Sequence, residues 1–206
     1  MCGDRTGEIA QRMGEALLEA LNESVRYGFL GTTAQEAVSR SRSFLPLIPE
    51  GARVADLGSG GGVPGLVLAY TRTDLNVVLI DSRERRCDHL TRLVGKLELT
   101  DRVGVLHDRA EAIGHHVQYR HAFDVVVARS FGPPAVVAEC AAALLRLAGD
   151  LLVSASPESA GERWPSGGLE QLGLAWSGMT DGIDQLVSLR KCGPEFPRKS
   201  VKSPLF

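Results

Sequence analysis

The sequence predicts an α/β fold, in which helices precede and flank a mostly parallel β-sheet. After residue 51, short apolar segments alternate with amphipathic helical segments, which is typical of βαβ units. A glycine-rich segment directly follows the first apolar run. In parallel sheets, such a loop at the carboxyl end of a strand commonly holds a ligand.

The first 50 residues predict a helical extension that covers the sheet. Between Thr6 and Tyr27, apolar residues recur at spacings of three and four, as on one face of an amphipathic helix. The segment Ala34–Phe44 predicts a second helix, which Pro46 ends.

Seven strands are predicted beyond the extension. Five apolar runs alternate with helices, and two more runs follow a loop at 156–168, with a turn at 180–182 between them. The helix between the second and third strands has Ser82 as its candidate N-cap. The predicted strands are Arg53–Leu57, Asn76–Ile80, Val103–Leu106, Asp124–Ala128, Asp150–Ser154, Leu172–Ser177 and Gln185–Arg190.

Length and composition are those of one globular domain. The chain has 206 residues, of which 44% are hydrophobic and 23% are charged, with a net charge of −2. We expect one domain over 1–206, divided into an N-terminal extension (1–50), a core (51–192) and a tail (193–206). Four cysteines without CxxC spacing, and no apolar run of about 18 residues, predict a cytoplasmic protein without a membrane span.

The segment Val54–Gly65 is the strongest local signal for a cofactor. Glycines allow positive φ and close approach of a ligand to the backbone. The acidic Asp56 followed by Gly58, Gly60 and Gly62 is typical of a loop that binds S-adenosylmethionine. In a different register, residues 60–65 match GxGxxG, the dinucleotide motif. Asp81, at the end of the second strand, could accept ribose hydroxyls in either case.

Five segments together resemble the RsmG family, once called GidB, whose members methylate guanine N7 in 16S rRNA. They are Asp56–Gly65, Leu79–Ser82 with Arg85 and Arg86, Arg109–Glu111, Phe123–Ser130, and Phe196–Lys199 with Lys202. This resemblance implies a class I methyltransferase fold, Rossmann-like and with a C-terminal antiparallel strand. It also implies S-adenosylmethionine as the cofactor and 16S rRNA or the small ribosomal subunit as the partner.

The resemblance assigns roles to particular residues. Positions matching Gly58 and Val63 contact the cofactor, Ala110 and Glu111 border its adenine, and Arg129 lies at the cofactor pocket as the candidate catalytic residue. The complete set of candidate cofactor-binding residues is Asp56, Gly58, Gly60, Gly62, Val63, Asp81, Ser82, Ala110, Glu111 and Arg129.

The chain departs from the family pattern in its N-terminal helices. Residues 24–30 lack the Asn-Leu-Thr motif, and residues 37–44 lack His-x-x-Asp-Ser. Two other functions therefore stay open, namely methylation of a small molecule and a non-catalytic nucleotide-binding or RNA-binding module. Guanine N7 carries a free lone pair at neutral pH, so its methylation requires positioning rather than a general base.

The histidines and the C-terminus complete the sequence predictions. His115, His116 and His121 lack accompanying ligands at metal-binding spacing, so no metal is expected. Residues 190–206 contain five basic residues and one acidic residue, a net charge of +4, which leaves −6 for the rest. Such a tail predicts contacts with RNA phosphates. Its RNA-binding candidates are Arg198, Lys199 and Lys202.

Overall fold

A seven-stranded sheet organises the computed structural model, which describes residues 5–154, 163–180 and 185–193, with side chains from residue 14 onward. The strand order is β3-β2-β1-β4-β5-β7-β6. Strands β1 to β5 run parallel, and β7 is antiparallel to both β5 and β6. The strands are β1 (Arg53–Leu57), β2 (Asn76–Asp81), β3 (Val103–His107), β4 (Phe123–Ala128), β5 (Leu145–Ser154), β6 (Leu174–Met179) and β7 (Leu186–Lys191). The predicted α/β fold with a C-terminal antiparallel strand is confirmed.

Helices lie on both faces of this sheet. The helices are α1 (Arg5–Arg26), α2 (Ala34–Arg42), α3 (Gly65–Thr71), α4 (Glu84–Lys96), α5 (Ala110–Ile113), α6 (Pro134–Leu144) and α7 (Ser166–Gln171). A short 3₁₀ helix spans Leu45–Leu47. Within the described residues, none of these helices is long and apolar enough to span a bilayer.

The core has two layers because side chains alternate along each strand. In β4, Val125 and Val127 pack with α1 to α4, whereas Val126 and Ala128 pack with α5 to α7. Strands that are buried on both faces read as continuous apolar runs, which is why they could be recognised in the sequence.

Helix α1 covers the sheet as predicted. Leu17, Ala20 and Leu21 are buried in the first core layer. Lys96 of α4 bonds Glu19 at 3.0 Å and Glu23 at 2.5 Å, which ties α1 to α4 at the surface. Near its carboxyl end, α1 is held beside the loop after β1 by a hydrogen bond from Ser24 Oγ to the Gly61 carbonyl.

Several predicted boundaries are wrong. Ser82 is not the N-cap of α4: this position is Arg83, whose backbone N–H donates to Asp81 Oδ1 at 2.9 Å. Strand β5 begins five residues earlier than predicted, at Leu145, and α7 begins at Ser166 within the predicted loop. Residues 155–162 of that loop, the predicted turn at 181–182 and the tail with Arg198, Lys199 and Lys202 lie outside the described residues.

Candidate active site

The loop after β1 depends on glycine. Gly58, Gly60 and Gly62 have φ of +71°, +54° and +99°, a region that other L-residues rarely adopt. The backbone N–H groups of Gly58 and Ser59 both donate to the Ile80 carbonyl at 2.9 Å. A Cβ on Gly58 would lie 2.6 Å from the Phe131 ring, so a side chain there would force the ring to move.

Asp56 supports this loop from inside the protein. Its side chain is fully buried, and its Oδ2 accepts a hydrogen bond of 2.9 Å from the Gly65 N–H at the start of α3. Burial raises the pKa of Asp56 to about 7. Asp56 does not line either cavity described below, so the structure places it as a positioning residue beneath the loop.

Asp81 connects the loop to the end of β2. Its Oδ2 accepts from the Gly60 N–H at 3.0 Å and lies 3.3 Å from Arg86 Nη1. Its Oδ1 accepts the Arg83 N–H. Because each carboxylate oxygen has two lone pairs, these three bonds leave one acceptor position, on Oδ1, for a ligand hydroxyl.

A cavity of about 310 Å³, termed here the β2–β3 cavity, lies at the carboxyl ends of β1 to β4. Glu111 is buried in its wall and pairs with Arg109 at 2.6 Å. The cavity brings together half of the predicted cofactor-binding residues, which are Gly58, Asp81, Ser82, Ala110 and Glu111. A carboxylate beside a loop of backbone N–H groups at this position suits a nucleoside.

A second cavity of about 530 Å³, termed the N-terminal cavity, lies between the glycine loop and α2. Gly60, Val63 and Arg129 line it on the core side, and Thr32, Glu36 and Arg40 line it on the other side. The two cavities share Gly58, Arg86 and Ser130 in their walls. Two ligands held in them would meet at the glycine loop.

Glu36 is the one carboxylate among the described residues that line the N-terminal cavity, beside Arg40, Arg86 and Arg129. A hydrogen bond from Thr32 lowers the pKa of Glu36, and Arg40 and Arg129 lower it further. The carboxylate is therefore ionised at neutral pH and can accept hydrogen bonds from a ligand.

The N-terminal segment also contacts the glycine loop directly. Ser24 is buried, and its Oγ donates to the Gly61 carbonyl at 2.8 Å. His89 Nε2 lies 2.8 Å from the same hydroxyl, and Arg92 lies 2.8 Å from His89 Nδ1. Because arginine only donates, Nδ1 must accept, so a neutral His89 donates from Nε2 to Ser24. Burial lowers the pKa of His89, which favours this neutral form.

Sequence reasoning assigned Gly62 to the cofactor, but the structure turns this glycine toward the core. A Cβ there would lie 3.1 Å from Leu66, and Gly62 lines neither cavity. Conversely, no motif indicated that Thr32, Glu36 or Arg40 would line a cavity. Arg86 was named within a segment that resembles the family, but not as a cavity residue.

A metal centre is not evident in the part of the chain with described side chains. There, no group of three or more His, Cys, Asp and Glu residues could hold an ion. What the arrangement can provide is a nucleoside site, a second polar site and a shared wall between them.

The chain matches a protein family and individual relatives. A model of the GidB family, rRNA small subunit methyltransferase G, matches residues 31–162. Ribosomal RNA small subunit methyltransferase G of Moorella thermoacetica is 33% identical over 177 residues, which cover 79% of this chain and 73% of that protein. The protein of the same name from Sorangium cellulosum is 34% identical over 168 residues, which cover 78% and 69%.

Solved structures resemble the fold. An O-methyltransferase from Bacillus cereus in complex with SAH has a TM-score of 0.60 and 16% identity, covering 86% of this chain and 90% of that one. At this identity the likeness concerns the fold alone, and it agrees with the strand order of the sheet.

Proposed function

Since the chain belongs to the GidB family of small-subunit rRNA methyltransferases, we propose that it transfers a methyl group from S-adenosylmethionine to N7 of a guanine in 16S rRNA. The chain is thus a methyltransferase with an RNA substrate, and guanine N7 is the acceptor typical of the family. A cytoplasmic location is part of the same proposal. The observation that supports it best is the pair of cavities that share a wall at Gly58, Arg86 and Ser130.

The residues around the β2–β3 cavity fit S-adenosylmethionine. Gly58 and Phe131 both line this cavity, and the missing side chain of Gly58 leaves room for the Phe131 ring against the loop. Asp81 would accept a ribose hydroxyl, while Ala110 and Glu111 would border the adenine. When bound, this cofactor supplies a methyl group made electrophilic by its sulfonium. The proposed loop contacts are Gly58, in the wall shared by the two cavities, and Gly60 and Val63, on the adjoining wall of the N-terminal cavity.

The N-terminal cavity fits the acceptor base. Guanine has two donors on its Watson–Crick edge, N1–H and N2–H, and an ionised carboxylate can accept both. Glu36 offers that carboxylate on the wall opposite the glycine loop. A guanine bound in this orientation would present its N7 edge toward the cofactor side.

The chain's own residues contribute positioning rather than proton transfer. Guanine N7 has a lone pair and no proton to remove, so no general base is required. In-line transfer needs the reacting atoms at roughly 3–3.5 Å, and the protein's part is to hold them there. Arg129, in the wall of the N-terminal cavity beside the loop, is the proposed catalytic contact.

Methyl transfer into defined RNA substrates tests this function. The purified chain is incubated with radiolabelled S-adenosylmethionine and small ribosomal subunits, or naked 16S rRNA, from a strain that lacks the corresponding gene. With the wild type we expect label in 16S rRNA, recovered as 7-methylguanosine by mass spectrometry. The Glu36→Gln variant should have a raised KM for RNA and an unchanged affinity for the cofactor. Label in a small molecule, or in another RNA nucleoside, would contradict the proposal.

A further inference from the structure

A surface of aromatic and charged side chains lies beside the N-terminal cavity and has no role in the function described so far. Tyr27, Phe29 and His89 form a three-ring cluster, with Tyr27–Phe29 centroids 5.9 Å apart and each ring 5.3 Å from His89. Arg92 Cζ lies 5.4 Å from the centre of the Tyr27 ring. Together with Arg85 and Asp88, these residues line a separate cavity of about 350 Å³, termed the aromatic surface.

The Tyr27 ring is exposed where most aromatic rings are buried. Its exposed fraction is 54%, although it is held in place from behind by His89. His89 is itself fixed between Ser24 and Arg92 by bonds of 2.8 Å on each ring nitrogen. A rigid, exposed ring is suited to stacking on a planar ligand, because little conformational freedom is lost on binding.

The charges around the rings match a nucleotide. Arg85 makes no hydrogen bond or ion pair within the described part of the chain, and its side chain is exposed, so it can contact a phosphate. Asp88 offers an acceptor for the amino groups of a base. An aromatic face with a cation and a carboxylate beside it provides partners for each part of a nucleotide.

The aromatic surface is continuous with the proposed acceptor site. Phe29 lines both the aromatic surface and the N-terminal cavity. Its backbone carbonyl also lies against the glycine loop, 3.0 Å from where a Cβ on Gly61 would be. If a guanine of an RNA strand enters the N-terminal cavity, a neighbouring nucleotide of that RNA would therefore lie over the aromatic surface.

We propose that the aromatic surface binds the nucleotide next to the methylated guanine, with its base stacked on Tyr27 and its phosphate at Arg85. This inference rests on the proposed function, because it takes RNA as the substrate. Single-stranded RNA is commonly recognised by stacking on aromatic side chains.

Three variants separate stacking from charge. Tyr27→Ala removes the ring, Tyr27→Phe keeps it, and Arg85→Gln removes the cation. Trp176→Ala is the aromatic control, since Trp176 is 44% exposed on the edge strand β6. Arg146→Gln is the charge control, since Arg146 is exposed at the beginning of β5, away from the carboxyl ends of the strands.

Binding is measured by anisotropy with a fluorescein-labelled single-stranded RNA that contains one guanine, and with two RNAs that have an abasic site on its 5′ or 3′ side. We expect Tyr27→Ala to weaken binding of the intact RNA about five- to tenfold, as is usual for the loss of one stacked base. The wild type should bind one of the two abasic RNAs about five- to tenfold more weakly than the intact RNA. Tyr27→Ala should bind that abasic RNA and the intact RNA with the same affinity. Tyr27→Phe should bind like the wild type, and both controls should be unaffected.

Methyl transfer provides a second measurement. The KM for small subunits should rise at least fivefold in Tyr27→Ala and Arg85→Gln, while the affinity for S-adenosylmethionine stays within twofold and so excludes misfolding. An unchanged KM in both variants would overturn the proposal. A raised KM for subunits with unchanged binding of free RNA would also overturn it, because the surface would then contact a ribosomal protein. A wild type that binds RNA through Tyr27 but methylates none would refute the proposed function alone.

Discussion

The Asp56 carboxylate accepts a 2.9 Å hydrogen bond from the backbone N–H of Gly65, across the base of the glycine loop. The bond joins the end of β1 to the first residue of α3, so the loop between them is held at both ends. Asp56 thereby shapes the cofactor site without facing either cavity.

Replacing Asp56 should weaken cofactor binding. Asp56→Ala leaves the Gly65 N–H without its partner inside the protein, which costs about 1–3 kcal/mol. We expect the Kd for S-adenosylmethionine, measured by calorimetry, to rise about tenfold or more. Asp101→Ala is the matched control, since Asp101 is exposed. Wild-type affinity in Asp56→Ala would show that the loop does not depend on this bond.

The pH dependence of stability should reveal the buried Asp56. Burial raises the pKa of Asp56 from 3.8 to about 7, so the folded protein retains this proton over a range where the unfolded chain has lost it. The stabilising contribution of the protonated group is present at low pH and is lost as the pH rises through this window. A pKa difference of this size corresponds to ~4 kcal/mol.

The measurement compares the wild type with Asp56→Asn by urea unfolding between pH 4 and pH 8. The variant does not titrate at this position, so the difference in unfolding free energy isolates Asp56. As the pH rises from 4 to 8, the unfolding free energy of the wild type should fall by ~4 kcal/mol relative to that of Asp56→Asn. A flat difference would mean that Asp56 keeps an ordinary pKa.

Substitutions at two glycines should have different effects: Gly58→Ala should weaken cofactor binding, and Gly95→Ala should stabilise the fold. Gly58 has φ of +71°, and a Cβ there would collide with Phe131, so Gly58→Ala should raise the Kd for S-adenosylmethionine more than tenfold. Gly95 lies in α4, where a Cβ would contact nothing within 4 Å. Gly95→Ala should leave binding unchanged and increase the free energy of unfolding by up to ~1 kcal/mol. Equal affinities in the two variants would contradict the proposed position of the loop.

Replacing Arg129 should lower both the affinity for the cofactor and the rate of methyl transfer. It lines the N-terminal cavity next to the glycine loop. We expect Arg129→Ala to lower affinity for S-adenosylmethionine severalfold and kcat more strongly, with Arg129→Lys between it and the wild type, since lysine keeps the charge but not the planar fork. Calorimetry and methyl incorporation measure the two effects. Normal values for both would place the site elsewhere. Arg146→Ala is the control, since Arg146 is exposed at the beginning of β5.

The sequence predicted the sheet well because its signals are local. Each inner strand is a short run of apolar residues with polar ends, so β1 was placed at its observed bounds. The prediction that Ser82 caps α4 is wrong because Asp81 Oδ1 accepts the N–H of Arg83, two residues later, and α4 begins at Glu84. Asp81 Oδ2 also accepts the Gly60 N–H, a contact between the ends of β1 and β2 that no spacing in the sequence reveals.

The two cavities differ in how far they could be predicted. The β2–β3 cavity is lined by residues at strand ends or shortly after them. The strand pattern predicted Asp81, the last residue of β2, and the family resemblance predicted Ala110, the first residue of α5. The N-terminal cavity needs Glu36 and Arg40, whose position depends on the packing of α2 against the rest of the chain. No motif marks these residues, since their helix reads only as an amphipathic segment.

The contact of Ser24 with Gly61 has a consequence for where this protein can be shortened. The family match begins at residue 31, yet the hydroxyl that donates to the Gly61 carbonyl lies seven residues earlier. A polypeptide starting at Gly31 would lack this donor and the buried Leu17, Ala20 and Leu21. It would also lack Tyr27 and Phe29, two of the three rings of the aromatic surface. The start of the family match is therefore not a safe place to shorten the chain, because residues that precede it hold the glycine loop.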